Sequence, residues 1–275
     1  MLSLKLVEAA AIRGTAIGAF NVILLEHAES IISGAEAAGL PVIMQISQNA
    51  VKYHGALDPI SLATLACATA AKVPTSVHLD HAEDTELIRR ALDLGYDSVM
   101  YDGSKLEFSE NVRISKMMVE LAHSYGATLE VELGEIGGKD GVHAPGIRTR
   151  PADAKAFVNE TGVDLLAVAV GSSHAMTSRD AKLDFELIAQ IHEMVSVPLV
   201  LHGSSGVSDL DLQSAVRAGM RKINIATHLN HIFTESIRER LTSDRTLVDP
   251  RKYIGAGREQ VAVEISHLLK TLNLD

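Results

Sequence analysis

Eight short apolar runs, each ending on a small or polar residue and each followed by a helical pattern, constrain this chain more than any other feature. They are AIGAFNV (16–22), PVIMQIS (41–47), TSVHLDH (75–81), SVMYDGS (98–104), TLEVELG (128–134), LLAVAVG (165–171), PLVLHGS (198–204) and KINIAT (222–227). Runs of this length, bounded by turn residues, read as buried strands. Helical stretches separate them, among them LEHAESIISGAEAAG (25–39), DTELIRRALDLG (84–95) and SDLDLQSAVRAG (208–219). The last two open on Asp or Ser in a capping position and stop at Gly. Strict β–α alternation implies a parallel sheet covered by helices. Eight such units in about 230 residues select a closed (β/α)8 barrel, the TIM-barrel architecture, over an open doubly wound sheet. No Pro/Gly/Ser linker or composition shift divides the chain, so residues 1–275 read as one domain. The N-terminal MLSLKLVEAAAIRG reads as an amphipathic helix ending at Gly14. The tail from about 228 onward adds helices, with VDPRKYIGAGREQ (248–260) as the turn between them.

The strand ends carry Asn21, Ser47, Asp80-His81, Asp102, Glu132, Gly171 followed by His174, His202, and Asn224 with Thr227. In this architecture those ends meet at one mouth, where the loops build the active site. Helix capping absorbs one or two polar strand ends, not eight in a row.

His81, His174 and His202 stand at or just beyond the ends of strands 3, 6 and 7. Three neutral imidazoles with an open fourth position make a catalytic zinc site. A lone mouth histidine is more often a cap or a solvated group; three beside Asp80 favour a metal. Adjacent strand residues point to opposite faces, so Asp80 and His81 both reach the mouth only if the strand ends and the chain turns. Asp80 then serves as an acid/base beside the metal. Asp102 and Glu132 add carboxylates to the rim, to take a second cation or to orient the histidines. His78 shares a face with Asp80 and reads as a supporting partner. His27, His123, His192 and His267 lie on helical stretches and read as surface residues.

The loops after strands 7 and 8 are where barrels often bind phosphate, through backbone N–H groups left accessible by small residues. Here they are HGSSG (202–206), supplying Gly203, Ser204 and Ser205, and NIATH (224–228), supplying Asn224, Ala226 and Thr227. A Lewis-acid metal, a phosphate anchor and a carboxylate acid/base together suggest aldol cleavage of a phosphorylated ketose.

The formal net charge of −10 argues against a nucleic-acid partner, which calls for clustered Lys and Arg. No apolar run approaches the roughly 20 residues of a bilayer span, and the N-terminus lacks signal-peptide features. The one cysteine, Cys67, excludes an intrachain disulfide and reads as a packed helical thiol. These features point to a soluble cytoplasmic protein.

In these residues the sequence resembles the class II, metal-dependent ketose-bisphosphate aldolases. The likeness runs nearly end to end, through GAFNV, HLDH, SVMYDGS, EVELGEIGG, AVAVGSSH, LVLHGSSG, KINIAT and DPRKYIG. It implies that His81, His174 and His202 hold Zn²⁺, that Asp80 is the proton donor, and that Asp102 and Glu132 serve an alternative metal position. It implies that Gly171, Gly203, Ser205, Asn224 and Thr227 cradle the dihydroxyacetone phosphate half, with Asn21 and Ser47 close by. A monovalent cation (Na⁺ or K⁺) near the phosphate and a homodimer or homotetramer also follow from the resemblance.

Three departures stand out. Ala175 follows a metal-site histidine where the family usually has Gly. Lys139-Asp140 replaces a glutamate-containing pair, leaving Asp140 as the stand-in base. In NIATHLN, a pattern closer to the tagatose type, His228 and Asn230 replace an Asp and an Arg that read the aldehyde half, so that Arg148, Arg251 or Arg258 is left to bind a second anion. Two other readings fit part of the pattern: a metal-dependent sugar-phosphate epimerase or isomerase, and a non-catalytic aldolase-like subunit.

Overall fold

Strands β1 (Ile17–Asn21), β2 (Val42–Ser47), β3 (Thr75–Ala82), β4 (Ser98–Tyr101), β5 (Thr128–Leu133), β6 (Leu165–Val168), β7 (Leu199–Leu201) and β8 (Met220–Ile225) pair in parallel, in sequence order. The register of Ile17 with Lys222 and Ala19 with Asn224 joins β8 back to β1 and closes the barrel. This computed structural model describes residues 2–134, 148–174, 176 and 178–275. The eight expected strands are all present; the last begins two residues earlier, at Met220.

The helices of the described residues are α1 (Leu2–Ile12), α2 (Leu25–Ala38), α3 (Gln48–His54), α4 (Asp58–Ala70), α5 (Thr85–Asp93) and α6 (Phe108–Ser124). They continue with α7 (Pro151–Thr161), α8 (Phe185–Met194), α9 (Asp209–Ala218), α10 (Thr227–Ser243) and α11 (Pro250–Leu272). Asp84 and Ser208 cap α5 and α9 as their sequences imply, each accepting a backbone N–H from the first turn. The tail differs from expectation. Asp249 caps α11 and Pro250 occupies its first turn, so most of VDPRKYIGAGREQ is helical and the turn lies at 244–249. Proline at a first helical position forfeits an N–H that had no partner anyway. Among the described residues, no helix is long and apolar enough to cross a membrane.

Two apolar clusters follow from the two faces of the sheet. The larger joins the outer faces of the strands to the surrounding helices. There α11 lies against α2 so closely that a Cβ at Gly34 would stand 2.5 Å from the Ala262 carbonyl oxygen. The smaller fills the lower barrel: Ile17, Ala19, Ile43, Leu165, Ala167 and Val200 meet Leu6 and Val7 of α1. The N-terminal helix thus plugs the bottom of the barrel, and its Ser3 amide donates to Asp97 Oδ2 at 3.1 Å. Burial of each Leu, Ile and Val in this cluster contributes roughly 1.5–3 kcal/mol.

Above this apolar layer the same strand faces turn polar. With a side-chain period of two, Asn21 follows Ala19, Gln45 and Ser47 follow Ile43, His202 follows Val200, and Asn224 follows Lys222. The registers Asn21 with Gln45, Gln45 with His78 and Ser47 with Asp80 set these groups side by side on one rim.

Candidate active site

Strand β3 does not end at His81, as the sequence suggested; it bulges. The β3–β4 register slips between Leu79 and Ala82, and His81 takes a left-handed backbone with φ of 48°. A bulge adds one residue and re-aims the side chains around it. This is how Asp80 and His81, which would otherwise face opposite sides, both reach the mouth. The displaced His81 amide points at Met100 Sδ, 3.4 Å away, and the ladder resumes where the Asp102 amide donates to the Ala82 carbonyl at 2.8 Å.

His81, His174, His202 and Glu132 converge so that one ligand atom from each lies within 4.8 Å of the others. The His81 ring is edge-on to His174 and His202, at centroid distances of 4.9 and 4.6 Å. His202 Nδ1 is 2.9 Å from His81 Nε2 and 3.5 Å from Glu132 Oε2. His81 Nδ1 points the other way, to Asp102 Oδ2 at 2.8 Å, while Asp102 Oδ1 accepts from the Ser104 amide and hydroxyl. Three imidazoles and a carboxylate converging at this range match the borderline-soft N/O donor set of zinc. Asp102 is bound instead to the outer edge of His81, the placement that orients a ligand ring.

Asp80 is 3% exposed. Three amides surround it: Asn21 Nδ2 and Gln45 Nε2 lie 3.3 and 3.4 Å from Oδ2, and Asn224 Nδ2 lies 3.4 Å from Oδ1. Its Oδ1 is 4.0 Å from His81 Nε2. A carboxylate faced by three side-chain donors is held in one orientation beside the histidines.

Opposite it, the β7 and β8 loops meet. Ser204–Gly206 forms a short 3₁₀ turn, and Ser205 Oγ accepts the Ala226 amide at 3.3 Å. Thr227 opens α10, so the helix N-terminus lies at the cleft, which Ala226 and Thr227 line. Gly203 has φ of 65°, and a Cβ there would lie 2.7–2.9 Å from the Ser173 backbone. Only glycine allows the β7 loop to come this close to Ser173 in the loop after β6.

A cleft of about 370 Å³ lies over these groups. Asn21, Ser47, Asp80, His81, Asp102, His174, Gly203, Ser204, Ser205, Asn224, Ala226 and Thr227 line it. Glu132 and His202 are fully buried beneath it. Gly171 does not line it; a Cβ there would strike the Lys182 carbonyl at 2.2 Å, so its glycine serves the loop. The Ser47 hydroxyl also caps α3, accepting the Ala50 amide. Asp140 and Ala175 lie outside the described residues. His228 pairs with Glu264 at 2.7 Å, Arg251 with Asp249, and Arg258 with Glu29, and none of these three is among the residues that line the cleft.

Other sequence expectations shift. His27 is buried, not exposed; it accepts the Leu24 amide at 3.0 Å and lies against Phe233, and burial lowers its pKa to about 4. His78 is buried with Nδ1 on Ser98 Oγ at 2.7 Å, and burial first, then Lys222, holds its pKa well below the usual value. Cys67 is a half-buried helical thiol whose pKa burial raises. The sequence reading missed Gln45, Gln48, Asn49, Lys52, Glu83 and Lys105 in the cleft wall, and the buried pair Glu130 and Lys222 below it. The period-two rule would have found three of these: Gln45, Glu130 and Lys222 each precede a singled-out residue by two.

A family model described as fructose-bisphosphate aldolase class-II matches residues 3–275. A fructose-bisphosphate aldolase of Geobacillus stearothermophilus is 37% identical over 270 residues, 96% of this chain and 94% of that protein. The Staphylococcus aureus protein of the same name is 35% identical over 261 residues, 94% and 91% of the two chains. Among solved structures, the YdjI aldolase of Escherichia coli K12 superposes with a TM-score of 0.84 at 32% identity, covering 98% of this chain and 95% of its own.

Proposed function

The chain belongs to the class-II fructose-bisphosphate aldolase family, and from that premise we propose that it cleaves a phosphorylated ketose to dihydroxyacetone phosphate and an aldehyde, using zinc held by His81, His174 and His202. As a member of that family it is an aldehyde-lyase. The observation that carries the zinc assignment is the donor set of His81, Glu132, His174 and His202 gathered within 4.8 Å. When bound, the ion supplies Lewis-acid polarisation of a carbonyl, worth several kcal/mol of transition-state stabilisation.

The remaining chemistry belongs to side chains. Asp80 takes the proton from the hydroxyl on the carbon whose C–C bond breaks and returns it in condensation. Asn21, Gln45 and Asn224 keep its carboxylate aimed. Asp102 holds the His81 ring through Nδ1, leaving Nε2 for the metal. The turn at 203–206 and the first N–H groups of α10 bind the phosphate, with Ser205 and Thr227 supplying hydroxyls. Asp140 is the base we propose for dihydroxyacetone phosphate; its support is its sequence position alone. The resemblance alone likewise supports a Na⁺ or K⁺ beside the phosphate and a homodimer or homotetramer.

Lys52 and Lys105 line the cleft together with Gln48 and Asn49 of α3, and Lys105 pairs with Glu83 at 3.1 Å. Two cations in the cleft wall favour an anionic aldehyde: glyceraldehyde 3-phosphate, or a carboxylated or sulfonated one. The test is zinc-loaded enzyme with dihydroxyacetone phosphate in D₂O, followed by a panel of aldehydes. Proton exchange and condensation with anionic aldehydes are expected. A metal-loaded protein that exchanges no proton would overturn the reaction, and one that takes only neutral aldehydes would overturn the substrate class.

A further inference from the structure

The two nitrogens of His202 face different surroundings. Nδ1 faces the donor cluster. Nε2 faces downward into the barrel, 2.8 Å from Glu130 Oε1. Glu130 is gripped in turn: Lys222 Nζ lies 2.6 Å from Oε2. All three side chains are at most 1% exposed. They come from the residue just after β7, from β5 and from β8, and they form a chain from Lys222 through Glu130 to the underside of the candidate metal centre.

Donor and acceptor roles fix where the ring proton sits. An ammonium only donates, so Glu130 Oε2 accepts from Lys222, and Oε1 is left to accept from His202 Nε2–H. The lone pair then lies on Nδ1, aimed at the cluster, where in the metal-free protein it accepts from His81 Nε2–H across the 2.9 Å contact. Asn224 Nδ2 also lies 3.1 Å from Nε2, and that amide has Asp80 Oδ1 at 3.4 Å to donate to. A ring nitrogen carrying a proton toward Glu130 accepts nothing from it. His78 Nε2, 3.9 Å from Glu130 Oε2, is beyond hydrogen-bond range.

We propose that Glu130, anchored by Lys222, is a positioning residue that sets the tautomer and rotation of His202, so that Nδ1 is the nitrogen offered to the ion. The proposal rests on the zinc site described above. His81 meets the same need at the rim through Asp102. His202 lies on the floor of the site, where its orienting carboxylate must itself be buried, and a buried carboxylate needs a countercharge. Lys222 supplies it from the one strand whose register places it beside both Ile17 and Val200, just under the polar layer. Orienting partners of this kind are worth about 10–100-fold in metal affinity.

A buried ion pair can also serve the fold alone, and two double variants separate the roles. Glu130→Leu with Lys222→Met removes both charges and the acceptor. Glu130→Gln with Lys222→Met removes both charges but keeps an acceptor oxygen. Zn²⁺ affinity of the metal-free proteins is measured by competition with a chelating indicator, with circular dichroism verifying that each is folded. The Leu/Met protein is expected to bind zinc about 10–100-fold more weakly than wild type, with the Gln/Met protein recovering most of that loss. Equal affinities for the two would overturn the proposal. Nitrogen-15 NMR of the imidazoles in the metal-free wild type gives a reading that needs no variant to fold: the Nε2–H tautomer is expected at His202, and Nδ1–H would overturn the proposal. Wild-type protein that shows the Nε2–H tautomer yet binds no zinc would refute the metal site and leave the hold of Glu130 on the ring intact.

Discussion

Asn21 and Asp80 stand 59 residues apart in sequence, on strands separated by β2, yet Asn21 Nδ2 lies 3.3 Å from Asp80 Oδ2. Gln45 of the intervening strand links them, donating to Asn21 Oδ1 at 2.7 Å and reaching Asp80 at 3.4 Å. Three neighbouring strands thus hold one carboxylate still. Asp80→Ala is expected to retain its zinc and lose about 10²–10⁴-fold in cleavage rate. Metal analysis beside a coupled cleavage assay measures both; cleavage at the wild-type rate would remove Asp80 from the proton-transfer role.

His202→Ala is expected to lose metal and activity together, because the ring sits inside the donor cluster and contributes nothing to the cleft wall. Chelation of the wild type should abolish cleavage, and added Zn²⁺ should restore it. Undiminished turnover in a sample shown to be metal-free would refute the zinc mechanism.

Gly203→Ala tests the phosphate cradle. The added methyl meets the Ser173 backbone at under 3 Å at a residue whose φ is 65°. Backbone strain of about 1–3 kcal/mol displaces the β7 loop, and weakening of dihydroxyacetone phosphate binding by about ten-fold is expected. Isothermal titration of the zinc-loaded variant measures this; unchanged affinity would show that the loop does not touch the phosphate.

His27 makes stability depend on acidity. Its folded pKa, about 4, lies below the ordinary 6.5 because burial opposes the charged ring. Between those values the unfolded chain binds the extra proton, so stability is full above pH 6.5 and declines as pH falls toward 4. The loss amounts to about 3 kcal/mol at most. His27→Leu should be less stable at neutral pH, having lost the acceptor for the Leu24 amide, but should fall off less steeply over this window in urea titrations. Parallel acid limbs would assign the pH dependence to other groups.

The barrel was legible because its signals are local. Each strand is a short apolar run, and the Asp84 and Ser208 caps announce their helices one residue ahead. Pro250 misled: read as part of a turn, it opens a 23-residue helix. The converging histidines were legible because polar residues at strand ends are costly unless used. The bulge at His81 was not, since it comes from a slip against β4 and nothing in HLDH marks it. Glu130 was passed over because mid-strand positions were taken as core, although its parity matches Glu132. His27 was misplaced because a helical histidine gives no sign of the Phe233 ring against it, contributed from 206 residues further along the chain (233 − 27).

The plug made by α1 reaches beyond the apolar area it covers. Leu6 and Val7 close a shaft whose next tier is the Lys222 ammonium and its carboxylate partner. Trimming that first helix would admit solvent from beneath, hydrating the ion pair and slackening the strut under His202. A truncation some distance from any substrate would then register as a fault at the metal.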